Sequence, residues 1–128
     1  RRAFDLTNDF REQRGKKPLK WNDEMKLIAD QHSSQMARGE RTFSHDGFDQ
    51  RCIDQRFPTH LCAAENIANN IGFQDVAQNA VDNWIKSKVH EKNLLGNFDV
   101  CGIGVARSGQ GKWYLTQLFA KTSTGSVL

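Results

Sequence analysis

Long apolar runs are missing from this chain. Nowhere do its 128 residues approach the roughly 18 to 20 consecutive apolar residues that a membrane-spanning helix needs, so no transmembrane segment is expected. Repeats, low-complexity blocks and linkers are also absent, which leaves one domain as the expectation, over residues 1–121, with 122–128 as a fraying tail. Lys and Arg are scattered and the net charge is only +3. That gives a weak bias toward anionic surfaces, and without a basic stripe carrying interleaved aromatics it excludes nucleic-acid reading. There is no His-Glu-x-x-His pair to hold a catalytic zinc and no Gly-x-Ser-x-Gly elbow around Ser44 or Ser87, so the usual sequence marks of a hydrolase are missing. No charged-then-apolar leader opens the chain at Arg1, and no location is read from that.

What is present is an ordinary globular composition, 38% hydrophobic with three tryptophans, in a chain long enough to bury roughly two-thirds of its unfolded surface. Phe4, Leu6 and Phe10 fall near one side of a helix over Arg1–Gln13, with Gly15 as its stop. Asn22 is placed to cap a second helix, in which Met25, Ile28, Ala29, His32 and Met36 recur at helical steps as far as Gly39. A third apolar stripe, Val76, Ala77, Ala80, Val81, Trp84 and Ile85, predicts one helix over 74–89 with His90 at its end. Beyond Gly96 the period changes to two. Phe98–Arg107 and Lys112–Lys121 read as hairpin strands, and Gly102 and Gly104 on one face imply a close neighbour there. Helices first and strands last predict an α+β domain with helices over an antiparallel sheet.

Three cysteines admit two readings. Cys52 and Cys62 flank a loop containing Pro58, and a bridge between them would imply an oxidising compartment; three reduced thiols are the alternative. Cys101 reads as a small buried residue in a strand.

Ser44-His45-Asp46-Gly47 reads as a turn, on which His45 is free to face a cleft. His32, on an apolar stripe, reads as a core histidine, and His60 has no special placement. Glu65 lies among small and apolar neighbours and is expected to be at least half-buried. It then needs a partner: a histidine, an arginine, backbone N–H groups or a metal. His90 is explained equally well by a helix C-terminus or by projection toward another segment, with Asn93 holding the following turn. His45, Glu65 and His90 offer two imidazoles and a carboxylate, the right atoms for zinc, at separations that match no local ligand motif.

In order, Phe43-Ser44-His45-Asp46-Gly47-Phe48, Ala64-Glu65-Asn66-Ile67-Ala68, Trp84 through His90 with Asn93-Leu94-Leu95, and Leu115-Thr116-Gln117 resemble the CAP superfamily, that of cysteine-rich secretory proteins, antigen 5 and pathogenesis-related 1 proteins. Leu6-Thr7-Asn8, Arg11 and Pro18-Leu19-x-Trp21 extend the resemblance over Leu6 to Phe119, nearest to short bacterial members. It implies a three-layer α-β-α sandwich, secretion, and a cleft in which two histidines and two acidic residues hold zinc or another divalent cation. His45 and Glu65 match the first histidine and first glutamate of that set. Ser87 and Tyr114 stand at the other two positions, while Ser87, His90 and Asn93 match a bacterial Ser-x-x-His-x-x-Asn pattern. The resemblance thus marks His45, Glu65, Ser87, His90, Asn93, Tyr114 and Gln117 as cleft residues, with a metal set reduced to His45, His90 and Glu65.

The expectation is a secreted, monomeric, non-enzymatic module that binds a partner or ligand. One alternative is a metal-dependent hydrolase with Glu65 as general base. The other is a sterol or lipid carrier, for which no exposed apolar run speaks.

Overall fold

The computed structural model describes residues 1–54, 56 and 64–122. Cys62, Pro58 and His60 lie outside the described residues, and so does the expected Cys52–Cys62 bridge.

Four strands form one sheet in the order β1-β3-β4-β2: β1 (Lys20–Trp21), β2 (Ala64–Asn70), β3 (Val100–Arg107) and β4 (Trp113–Ala120). The hairpin β3–β4 stands where period two predicts it, antiparallel with Val100 opposite Ala120. β2 runs antiparallel to β4. β1 departs from the expected antiparallel sheet, pairing parallel with β3.

Side chains alternate across the sheet, so each strand feeds two cores. Cys101, Ile103, Leu115, Phe119 and Ala68 pack under α1 (Arg2–Gln13), α4 (Val76–Lys86) and α5 (Lys88–Leu94). Val100, Leu118 and Ala120 pack on the other face with Met25, Ile28 and Ala29 of α2 (Asp23–Ala37), against which Phe48 of α3 (Phe48–Cys52) also rests. The molecule is therefore the three-layer α-β-α sandwich that the resemblance implies.

The close neighbour expected at Gly102 and Gly104 is α2. A Cβ on Gly102 would stand 2.7 Å from the Met25 carbonyl carbon, and one on Gly104 would strike the backbone of Ala29 and Asp30. Helix α2 thus lies directly on β3. Its start is set by Asn22, whose Oδ1 accepts from Met25 N–H at 2.8 Å.

Two elements differ from expectation in ways that build the site. The helix expected over 74–89 breaks at Ser87, which turns extended (ψ 121°) and becomes the N-cap residue of α5. His90 consequently lies within a second helix rather than at the end of a long one, and the dipole argument for it falls. Glu65, weighed as a helix or turn cap, lies instead on β2, an edge strand. Thr122, expected to fray, is tied by its N–H and hydroxyl to the Asp99 carboxylate at 2.8 and 2.6 Å.

Candidate functional site

Glu65 is the residue around which the site is assembled. Its side chain is 1% exposed, and burial of a carboxylate without partners would cost several kcal/mol. The partner is Arg51 of α3. Arg51 Nε donates to Oε2 and Nη2 donates to Oε1, both at 2.7 Å, a two-pronged guanidinium–carboxylate pair. Arg51 also donates to the carbonyls of Asp46 and His45 and so holds the turn that carries His45. Gly47 makes this geometry available: its φ is +81°, as the Asp-Gly reading requires, and a Cβ there would stand 3.2 Å from Arg51 Nη1.

The remaining Arg51 contact fixes a tautomer. Nη1 lies 3.1 Å from His32 Nδ1, and because arginine only donates, Nδ1 accepts. Nε2 therefore carries the proton and donates to Ser44 O at 2.8 Å. His32 is a buried core histidine as expected, and it also props the turn from behind. Burial foremost, with the positive Arg51 in support, holds its pKa below the ordinary 6.5, against the pull of the Ser44 carbonyl.

His45 Nδ1 lies 2.8 Å from Glu65 Oε1, and a carboxylate held by a guanidinium accepts. His45 thus donates through Nδ1, which in the neutral ring leaves the lone pair on Nε2, and its half-exposed ring (52%) reaches solvent. Across the cleft, His90 Nδ1 pairs with Ser87 Oγ at 2.8 Å. Burial first, and then the nearby His45, lower the His90 pKa.

The cleft itself, about 500 Å³, is lined by Phe43, His45, Ile67, Trp84, Ser87 and His90, among others. Trp84 closes the β2 edge by donating its indole N–H to Ile67 O at 2.9 Å.

Of the seven expected cleft residues, His45, Ser87 and His90 line this space and Glu65 stands behind His45. Asn93 and Gln117 belong elsewhere. Asn93 Nδ2 donates to Asn66 Oδ1 at 2.9 Å, Asn66 donates to Gln117 Oε1 at 3.2 Å, and Gln117 donates to Thr7 Oγ1 at 3.0 Å, a buried amide chain that ties α5, β2, β4 and α1 together. The Tyr114 ring packs against Phe43, with centroids 6.3 Å apart. Sequence reasoning allowed an arginine as the Glu65 partner without finding Arg51, which reads as a surface cation in a polar stretch.

A zinc site of the family kind asks Glu65 for an oxygen, and both oxygens are already engaged. Among the described residues no group of three or more His, Cys, Asp or Glu side chains is placed to hold a metal ion. As a metal ligand Glu65 does not fit. What the arrangement offers is two anchored imidazoles beside one cleft.

The same order of elements recurs in known proteins. The pattern of CAP, the cysteine-rich secretory protein family, matches residues 4–119. Two uncharacterized Bacillus subtilis proteins are each 30% identical: YkwD over 124 residues, 85% of this chain and 43% of the relative, and the membrane protein YlbC over 123 residues, 94% and 34%. This chain therefore spans less than half the length of either. An extracellular SCP-domain protein of Bacillus anthracis superposes with a TM-score of 0.78 at 29% identity, covering 94% of this chain and 39% of its own. An outer surface protein of Borrelia burgdorferi superposes at 0.75 with 17% identity, covering 94% and 90%, and shares the fold. No helix among the described residues is long and apolar enough to cross a membrane. With its pattern matched from Phe4 to Phe119, the chain belongs to the CAP, or cysteine-rich secretory protein, family.

Proposed function

We propose that this domain is a non-enzymatic binding module of a secreted protein, and that the cleft between the Phe43–Gly47 turn and the α4–α5 junction receives its ligand or partner. One observation carries the reading. His45 and His90 line a mixed apolar and polar cleft with their Nδ1 atoms already spoken for, by Glu65 and by Ser87. Groups fixed in advance lose little freedom on binding, and Phe43, Ile67 and Trp84 supply apolar area beside them. The hydrolase alternative requires Glu65 to act as a base while its oxygens serve Arg51 and His45. The lipid-carrier alternative would draw on the same apolar wall of Phe43, Ile67 and Trp84 and asks nothing of the two imidazoles.

A second reading has support from the same anchors. A carboxylate behind an imidazole is the usual outer partner of a metal-bound histidine, so the two rings are suited to present Nε2 atoms to a divalent ion such as zinc, with Glu65 orienting rather than ligating. The extracellular setting is supported by the family and by the extracellular Bacillus anthracis protein. A Cys52–Cys62 bridge would agree with it.

The test is an amide-shift map of the domain titrated with a library of small polar-aromatic fragments, and separately with zinc after chelator treatment. Shifts gathered on Phe43, His45, Ile67 and His90, lost in His45→Ala and His90→Ala, support the cleft. Fragment binding that leaves those amides unmoved contradicts it. Zinc binding of one ion, lost in both variants, decides for the second reading.

A further inference from the structure

Lys16, Lys17 and Lys20, close together in the sequence, are joined by the fold to Lys121 at a place that shares no lining residue with the histidine cleft. Lys16 and Lys17 stand in the α1–β1 loop, Lys20 begins β1, and Lys121 follows β4; with Arg11 they line a groove of about 560 Å³. All four lysines are exposed. The one acidic side chain in the lining, Asp99, already accepts two hydrogen bonds from Thr122.

Beneath the lysines lies a cation with no counter-ion among the described residues. Arg11 is 3% exposed. Its Nε donates to Lys17 O at 2.8 Å, Nη1 to Leu94 O and Gly96 O at 2.8 and 3.0 Å, and Nη2 to Phe98 O at 3.4 Å. Every partner is a carbonyl. These dipoles satisfy donors but leave the charge unneutralised, and a guanidinium stays charged even where burial lowers its pKa, as it does here. Five cations facing one carboxylate, whose charge the Thr122 hydrogen bonds leave in place, give the groove a net positive potential that its concave surface focuses.

We propose that this groove is an anion-binding site for a soluble, multiply charged phosphate-bearing ligand. Its recessed shape suits a small molecule better than a flat surface, and the charge complementarity calls for closely spaced negative groups. The reading is independent of the histidine cleft.

The probe is inorganic tripolyphosphate, titrated calorimetrically at low salt into three proteins: the native chain, Lys17→Gln/Lys20→Gln/Lys121→Gln, and a control Lys86→Gln/Lys88→Gln/Lys92→Gln. The control removes the same charge from exposed positions on α4 and α5, and circular dichroism checks that all three fold. The expected result is one site whose affinity falls about tenfold or more in the groove variant and within about twofold in the control, with weakening as salt shortens the reach of the charges. Equal loss in both variants would mean attraction by net charge alone and would overturn the proposal. So would no binding to the native chain, or binding to anionic phospholipid vesicles without binding to tripolyphosphate.

Discussion

Glu65 and Asn66 are neighbours on β2, yet they serve opposite faces of the sheet and very different networks. Glu65 enters a charged cluster with Arg51, His32 and His45 that ends at a half-exposed imidazole on the cleft. Asn66 enters a neutral amide chain with Asn93, Gln117 and Thr7 that lies buried between layers. The comparison separates two uses of buried polarity. One network is open at an end and sets which ring nitrogen of His45 meets Glu65; the other is buried, fixes how α1, α5 and the sheet sit together, and touches the cleft wall at the His90 carbonyl, to which Asn66 Nδ2 donates at 3.3 Å.

The largest expected effect breaks the charged network. Arg51→Met strands the Glu65 carboxylate, and loss of one partner of a buried pair costs about 3 to 5 kcal/mol, measured by urea unfolding. Arg51→Met with Glu65→Leu should recover much of that loss, because no buried charge remains. If the double variant is as unstable as the single, the pair is not what holds the turn.

A smaller loss is expected in the amide network. Gln117→Leu leaves one amide hydrogen of Asn66 short of an acceptor, at about 1 to 3 kcal/mol, while Asn66 still donates to His90 O and Thr7 to Ala3 O. It should leave cleft ligands bound as before. Altered cleft binding in a folded Gln117→Leu protein would show that the two networks are coupled.

Next in size is a pH effect. The folded His32 pKa lies below the ordinary 6.5, so on acidification the unfolded chain takes up the proton first. Stability attached to His32 is complete above about 6.5 and is lost as pH falls from there toward the folded value. His90, also lowered, acts in the same direction. His32→Gln, which cannot take up the proton, should show a shallower loss of stability across that window; an unchanged slope would assign the acid sensitivity elsewhere.

The smallest effects belong to groups whose loss strands no buried charge, since Glu65 keeps Arg51 without His45. His45→Ala and His90→Ala should shift stability by about 1 kcal/mol or less, as exposed or half-buried truncations do, while removing cleft binding. Cys101, fully buried with its thiol pushed up to about 12 by that burial, should resist alkylation in the native protein and react only on unfolding.

How much of this was legible in the sequence follows from the physics of each part. α2 and the β3–β4 hairpin could be read because their apolar periods, the Asn22 cap and the turn around Gly109 and Gly111 all agree. β2 could not, because Asn66 and Asn70 face inward where an alternating pattern would want apolar residues, and a network of amides leaves no hydropathy signal. The break at Ser87 lies just past the apolar stripe, which ends at Ile85 within α4, and no glycine or proline marks it. His45, read from turn chemistry, and His90, read from family resemblance, both line the cleft. Arg51 was missed because burial of an arginine depends on a carboxylate 14 residues away, which no local pattern records. Gln117 and Asn93 were placed with the cleft by motif alone, whereas their hydrogen bonds assign them to the architecture.

The central claim is that the Arg51–Glu65 pair holds His45 with its proton on Nδ1 and its Nε2 lone pair toward the cleft. The direct measurement is long-range nitrogen–proton NMR of the imidazole rings, at a pH where His45 is neutral, in the native chain and in Glu65→Gln. The account predicts a His45 pattern dominated by protonated Nδ1 in the native protein and a shift toward protonated Nε2 in the variant. A native His45 protonated on Nε2, or a pattern indifferent to Glu65, would contradict it.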